Sequence, residues 1–452
     1  MAVPTSLSGF PEFLPADRVV EQEVLATLAH TFELHGFGSL ETRAVEPLDQ
    51  LLRKGETSKE VYVLRRLQED SAEGHAGLGL HFDLTVPFAR YVLENAGKLE
   101  FPFRRYQVQK VWRGERPQEG RFREFTQADI DVIGRDELGF HHDVEIARVM
   151  LDALSRLDFL PPLRLQVNNR KLIQGFYAGL GARDVDEVMR LVDKLDKLAE
   201  AQVGSLLQEE AGLTEEQAAQ CLALARIHST DGSFVEQVRA LGVGHELLDQ
   251  GLAELQAVLR GCAGLVTDRV TVEVDLKIAR GLDYYTGTVF ETRLEGFESL
   301  GSVCSGGRYD ALASDRRATY PGVGISLGVS RLLVPLVHKG IVCGSRPVPS
   351  AVLVAVVDED GRAASDDLAA LLRGSGVPTE VAAHAQKFGK QIRYAERRGI
   401  PYVLFPGDDV QVKDIRSGEQ FTIDPTTWTP PAADLRPRVI SAGSTDEGEK
   451  LL

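Results

Sequence analysis

Apolar residues at Val20, Val24, Leu28 and Phe32 recur at every fourth position, which places them on one face of a helix. Pro15 stands where a first helical turn tolerates proline, and Gly36 and Gly38 mark the far end. From about Leu99 the period shortens. Phe101, Phe103, Val108 and Val111 sit among polar residues, a charged loop follows at Arg113–Arg123, and a second alternating run covers Phe125–Ile133. Two such runs around a charged loop predict a long antiparallel hairpin. Residues 170–262 are dominated by Ala, Leu, Glu and Gln and read as a helical insertion. Strand alternation returns at Val270, Val272, Val274 and Leu276 and runs on through Thr288–Leu294. PGVGISLGVSRLLVPL then reads as a buried strand entering an apolar helix. Beyond a linker at Lys339–Ser350, the segments VLVAVV, LAALLRGSG, TEVAA, KQIRYAERRG and YVLF alternate β-α-β-α-β, which predicts a parallel α/β unit. A hairpin turns at Ser417–Gly418, and from Trp428 the Pro-, Gly- and acid-rich chain is expected to fray.

A length of 452 residues predicts two or three domains, and 43% hydrophobic with 26% charged residues excludes a disordered chain. The net charge of −16 argues against a surface coated for non-specific DNA binding, although a local basic stripe on an acidic body still suits nucleic acid. Cys221, Cys262, Cys304 and Cys343 form no CxxC pair or Cys/His cluster, so neither zinc nor a disulfide framework is expected. That pattern fits a reducing cytoplasm. The N-terminus lacks a signal-peptide pattern, and the run Ala351–Val357 is far too short to span a membrane.

Four segments could carry chemistry. In HFDLTVPFARY, Asp83 and Thr85 are two apart; on an extended strand both face the same way, either satisfying a turn or aimed together at an ammonium group. Between Phe101 and Gln127, seven Lys/Arg stand against three Glu, a local reversal of sign. A solvated hairpin explains the charge, but not the aromatics among the arginines or the Gln127/Asp131 pair on one strand face. Forked guanidinium groups beside stacking rings suit a nucleotide. In VDLKIARGLDYYTGTVFE, Arg280 and the Tyr284–Tyr285 pair sit among glycines that let backbone approach a ligand. Finally, SVCSGGRYDAL and PGVGISLGVSRLL carry glycines that could be turns, and Arg331 falls in the first turn of the following helix, where anions are favoured. No GxxxxGK[ST] occurs, and no GxGxxG follows a strand, so a P-loop or dinucleotide fold is not expected.

Taken together, these stretches resemble the histidyl-tRNA synthetases of the class II aminoacyl-tRNA synthetases, up to about residue 425. WRGERPQEGRFREFTQADID is similar to the second class II motif, GVGISLGVSRL to the third, and Pro15–Pro47 to the first, which builds the dimer interface. ARGLDYYTGTVFE and CSGGRYDAL resemble histidine-specific motifs, and QKFGKQIRYAERRGIPYVLF resembles an anticodon-binding domain. The resemblance implies an α+β catalytic domain with a mainly antiparallel sheet flanked by helices, a helical insertion and a C-terminal α/β anticodon-binding domain. Its expected boundaries are 1–169 and 263–338 for the catalytic domain, 170–262 for the insertion, 339–350 for the linker, 351–427 for the anticodon-binding domain and 428–452 for a flexible tail.

The implied activity is that of a histidine–tRNA ligase: histidine and ATP give histidyl-adenylate and pyrophosphate, and the histidyl group then moves to the 3′ end of tRNA(His). By resemblance Arg113 holds the α-phosphate, Arg331 the γ-phosphate, and Arg280 bridges the histidine carboxylate and the α-phosphate. Asp131 with Tyr284 or Tyr285 would read the imidazole, and Asp83, Thr85 and Gln127 the α-ammonium. Phe125 would stack on adenine and Glu115 meet its exocyclic amine, while Arg116, Gln118 and Arg121 would meet the acceptor end. ATP with Mg²⁺, L-histidine and the tRNA are the expected ligands, in a cytoplasmic homodimer with no membrane partner. Two rivals remain: a non-catalytic histidine sensor of the same kinship, and an RNA-binding protein that has lost catalysis. The sensor needs neither ATP clamps nor an anticodon reader.

Overall fold

The computed structural model describes residues 5–52, 60–66, 77–278, 285–314 and 318–441. The chain divides into two compact units, one of residues 1–11 and 25–334, the other of residues 12–24 and 335–452. The expected first helix is α1 (Pro15–Leu34), and Val20, Val24, Leu28 and Phe32 are all fully buried. β1 (Gly38–Ser39) follows. β2 (Val45–Pro47), α2 (Leu48–Leu51), β3 (Val63–Leu64) and β4 (Leu78–Leu80) then build a small three-stranded sheet with its helix. After α3 (Thr85–Asn95) comes the predicted hairpin, β5 (Phe103–Trp112) and β6 (Glu124–Ile133), paired in unbroken antiparallel register.

α4 (His141–Ser155) and β7 (Leu163–Asn169) lead into the Ala/Leu-rich stretch. It forms α5 (Arg170–Gly179), α6 (Val185–Val192), α7 (Glu200–Glu209), α8 (Glu215–Ala225), the short β8 (His228–Ser229), α9 (Phe234–Ala240) and α10 (Glu246–Cys262). β9 (Val270–Asp275), β10 (Thr288–Leu294), β11 (Cys304–Ser314), β12 (Thr319–Gly328) and α11 (Val329–His338) complete the run. One nine-stranded sheet collects the strands in the order β1-β5-β6-β12-β11-β10-β7-β9-β8, with only β1·β5 and β7·β9 parallel. This is the mainly antiparallel sheet flanked by helices that the sequence predicts.

Strand alternation gives the sheet two unlike faces. Ile130, Ile325, Phe290, Val167 and Val274 lie in register on one face, are buried, and meet helices α4 and α10. At about 25 cal/mol per Å² of apolar surface removed from water, this covered face supplies the sheet's cohesion. The opposite face carries a polar row in which Gln107, Asp129, Ser326, Ser305, Glu291, Gln166 and Glu273 are successive register partners. A sheet face that is polar over so many strands has been kept for a ligand rather than a core.

In the second unit, β13 (Val342–Gly344) and β14 (Val352–Val354) precede α12 (Arg362–Gly374), β15 (Thr379–Val381), α13 (Phe388–Arg397), β16 (Tyr402–Phe405), β17 (Gln411–Asp414) and β18 (Gln420–Thr422). The sheet order is β15-β14-β16-β17-β18, parallel across its first three strands, as the β-α-β-α-β pattern predicts. Gly418, at φ 77°, supplies the left-handed residue of the last hairpin. The expectation of fraying from Trp428 is corrected as far as Ser441. α14 (Ala432–Leu435) and β19 (Val439–Ser441) are formed, and β19 pairs with β13 inside the stretch expected to be a linker. Trp428 lies edge-on to Tyr402 at 5.6 Å between ring centroids, and the Asp434 carboxylate accepts from Tyr402 Oη and Arg416, each at 2.8 Å. Composition alone hides such a polar anchor. Residues 442–452 lie outside the described residues. Among the described residues no helix is long and apolar enough to cross a membrane.

Candidate active site

Gln127, Asp129 and Asp131 alternate along β6 on the polar face, and Gln127 lines a cavity of about 200 Å³ whose wall does not include Asp129 or Asp131. Asp83, Thr85, Arg113, Glu115, Arg121, Phe125, Gln127, Tyr285 and Arg331 all line it. Residues widely separated in sequence thus meet at one cavity. Arg280 and Tyr284 lie outside the described residues.

One local reading is corrected. Asp83 and Thr85 are not on a strand: Thr85 opens α3, and Asp83 Oδ1 accepts from the backbone N–H of Val86 at 3.0 Å. The turn-satisfying role therefore holds for one oxygen, while both residues still face the cavity.

Gln127 is buried, and its Nε2 donates to Ser326 Oγ at 2.6 Å. Its Oε1 makes no hydrogen bond among the described residues. A buried acceptor left open at a cavity wall is what an ammonium donor would satisfy. Deeper in, Asp131 is held at both oxygens. Its Oδ2 is 2.6 Å from Nη2 of the fully buried Arg105, and its Oδ1 accepts from Tyr309 Oη at 2.7 Å. Arg105 also stacks over Phe88, 4.3 Å from its centroid. Burial, and then the charges of Asp131, Asp129 and Asp83, push the Tyr285 phenol up from its ordinary value, so it stays a neutral hydrogen-bonding group.

The cations are fixed by backbone. Arg113 Nε donates to Phe82 O at 2.9 Å, and its guanidinium lies 5.0 Å from the Phe125 centroid. Arg331, on α11, donates from Nε to Gly120 O and from Nη1 to Ser302 O, each at 2.8 Å. Glu115 lies 3.5 Å from Arg121 Nη1. Burial, and then the Glu115 charge, raise the pKa of neighbouring Glu60. Gln118 and Arg121 line an adjoining cavity of about 570 Å³ that shares Tyr285 and Arg331 with the first. Arg116 is exposed and lines neither cavity. Among the described residues no three His, Cys, Asp or Glu come together as a metal cradle, and all four cysteines are free.

Sequence reasoning missed Arg105, Tyr309 and Ser326. Register explains two of them, since Arg105 is the cross-strand partner of Asp131 and Ser326 that of Asp129, while Tyr309 reaches Asp131 through its hydroxyl; none of this is visible in a linear pattern. The glycines were open to reading as turns, yet Gly307 lies in β11 and Gly324 in β12. A Cβ on Gly324 would stand 2.0 Å from Asp131 Oδ1, and one on Gly307 2.7 Å from the Tyr285 ring. These strands lack side chains where the pocket's own side chains must lie.

In the second unit, α13 exposes Lys390, Arg393 and Arg397 along a cavity of about 580 Å³ that Tyr394 also lines.

Comparison with known proteins agrees with this geometry. Residues 9–332 match the histidyl-tRNA synthetase family and residues 351–427 the anticodon binding domain family. A histidine–tRNA ligase of Cutibacterium acnes is 58% identical over 96% of this chain and 98% of its own length. The crystal structure of histidyl-tRNA synthetase from Nostoc sp. PCC 7120 superposes with a TM-score of 0.82 at 33% identity, covering 94% of this chain and 97% of that one. A Bacillus halodurans structure described as an ATP phosphoribosyltransferase regulatory subunit/histidyl-tRNA synthetase shares the fold, with a TM-score of 0.71 at 19% identity over 86% of this chain and 96% of its own. With two thirds of the chain matching one family and a relative of such identity over nearly its full length, the chain belongs to the histidyl-tRNA synthetase family.

Proposed function

We propose that the cavity over β6 and β12 is where this chain activates histidine with ATP, and that the basic face of α13 meets the tRNA anticodon. The chain is an ATP-dependent aminoacyl-tRNA ligase of the histidine type. In its first step a carboxylate attacks the α-phosphorus of a polyanion, so like charges must come within bonding range. Positioned cations in a site that excludes water are the main remedy. Arg113 and Arg331, each tied to main-chain carbonyls, do not have to reorganise to receive the triphosphate. We assign Arg113 to the α-phosphate, Arg331 to the γ-phosphate and Arg280 to the bridge between histidine carboxylate and α-phosphate. Phe125, already packed on Arg113, offers a face to adenine, and Glu115 an acceptor for its amine.

Histidine is read by pairing. Its imidazole presents two nitrogens, and Asp131 with Tyr285 supplies a carboxylate and a phenol. A substrate lacking those nitrogens leaves buried polar groups unpaired, a penalty that can reach 10⁴–10⁵ in discrimination without editing. Asp83, Thr85 and Gln127 hold the ammonium. Mg²⁺ is assigned to the ATP phosphates, with which it would enter the site. Arg116, Gln118 and Arg121 are assigned to the acceptor end of tRNA(His). A homodimer through the 15–47 region and a cytoplasmic location, in keeping with four free cysteines, complete the reading.

The observation that carries it is Gln127 Oε1, an open buried acceptor, in one cavity with two anchored guanidinium groups. ATP–pyrophosphate exchange tests it. Exchange stimulated by histidine and by no other amino acid is expected, and a chain that binds histidine without exchange would be the sensor instead.

A further inference from the structure

Between Gln127 and Asp131, on the same face of β6, stands a residue to which the histidine reading gives no role. Asp129 is 3% exposed and is the register partner of Gln107 on β5 and of Ser326 on β12. The Ser326 hydroxyl hydrogen-bonds the Asp129 carboxylate and also meets Gln127 Nε2 at 2.6 Å. Asp129 Oδ1 makes no hydrogen bond among the described residues.

The groups facing Asp129 come from every neighbouring element. They are Arg105 on β5, Asp131 on its own strand, Asp83 before α3, the Tyr285 phenol before β10 and the Ser326 hydroxyl on β12, while the Cys304 thiol of β11 lies on the opposite, helix-covered face. Asp129 and Asp131 thus both feel the Arg105 guanidinium, and Asp83 adds its charge nearby. Tyr285 and Cys304 are both pushed up by burial and stay neutral. Burial first, and then the charges of Asp131 and Asp83, raise Asp129 to about 7 against the pull of Arg105 and Ser326.

We propose that Asp129 is a positioning residue for the amino acid substrate: near neutral pH it is partly protonated while the pocket is empty, and it gives up that proton to solvent when the α-ammonium arrives. The balance is simple: the positive charge entering the carboxylate cluster is offset by the bound proton fraction that leaves it. The consequence is geometric as well. An ionised carboxylate can only accept, so Ser326 must donate to Asp129 and use its lone pairs for Gln127 Nε2. That fixes the Gln127 amide with Oε1 as the acceptor presented to the ammonium. Asp129 never needs to touch the substrate.

This proposal rests on the assignment of histidine to this pocket, and the test separates the two. Histidine binding to the full chain is measured by titration calorimetry at pH 7 in two buffers of different ionisation enthalpy, for the wild type, Asp129→Asn and Asp129→Glu. Wild type should release more protons per histidine than Asp129→Asn, with Asp129→Glu recovering part of the release. Between pH 6 and pH 8 the wild-type affinity should rise about tenfold more than that of Asp129→Asn, because a group titrating near 7 goes from mostly protonated to mostly ionised over that range. Any titration of the substrate's own ring is common to both proteins and cancels. Histidine KM should carry the defect of Asp129→Asn, with kcat changed much less. Equal proton release and equal pH slopes in wild type and variant would overturn the proposal while leaving the pocket intact. Should Asp129→Asn not fold, the wild type against Asp129→Glu decides, since moving the carboxyl must change the proton count. A wild type that does not bind histidine removes both the pocket assignment and the role of Asp129.

Discussion

A carboxylate buried on a sheet face needs a compensating charge, and for Asp131 that charge is Arg105, itself desolvated and leaning on Phe88. Tyr309 occupies the second oxygen. Asp131 is therefore held in place before histidine arrives, and an aspartate held in this way can select by geometry rather than by charge alone. Removing it deprives the buried Arg105 of its ion-pair partner and leaves Asp129 as the nearby carboxylate, so the loss should not exceed the about 3–5 kcal/mol that breaking a buried pair costs. Asp131→Ala should raise the histidine KM steeply, and a thermal melt should show the loss of stability. An unchanged KM in exchange kinetics would contradict the pocket. At this scale the sequence named most of the cavity: Arg113, Phe125, Gln127 and Arg331 could be picked out because charge, ring and amide stood where a solvated hairpin or a plain helix has no use for them. Arg105 and Ser326 could not, because their meaning comes from the strand opposite.

Periodicity revealed the elements wherever burial was one-sided. α1 announces itself by four apolar residues at helical spacing, and the β5–β6 hairpin by two alternating runs. It failed at the short segment Asp83–Thr85, where two residues cannot show a period. The better signal was Asp83 three residues before a free N–H, with Pro87 in the first turn of α3, where proline costs no hydrogen bond. The glycines of β11 and β12 misled for a similar reason. Their value lies in the side chains of neighbouring strands, as the 2.0 Å approach at Gly324 shows. Gly324→Ala should force Asp131 aside or bow β12, costing about 1–3 kcal/mol as overpacking does. A lowered melting temperature together with a raised histidine KM is the expected pair of results. Normal histidine binding in this variant would mean that Asp131 is not where the imidazole sits.

For the whole molecule, an acidic chain of net charge −16 must meet a polyanion, so its cations have to be concentrated rather than spread. The β5–β6 loop and α13 are where they gather, and each stands beside a cavity. The return of β19 to β13 was not legible in the sequence, because a three-residue strand has too little pattern to detect. The parallel pairing of β7 with β9 has a further bearing on how the chain could be shortened. Parallel neighbours cannot be joined by a tight turn, so something of helical length must carry the chain back between them. α5 and α10 pack on one another and α10 on both strands, so that pair suffices for the return journey. A Cβ on Gly179, at the end of α5, would lie 3.0 Å from Gly244 O and 3.4 Å from His245 Cβ, just before α10. The two ends of the segment 181–243 are therefore almost touching, and a short graft could close the gap after that segment is cut out. Such a trimmed enzyme should still carry out histidine-dependent pyrophosphate exchange, and loss of the charging of tRNA alone would mark the excised helices as a grip on nucleic acid rather than a part of the chemistry.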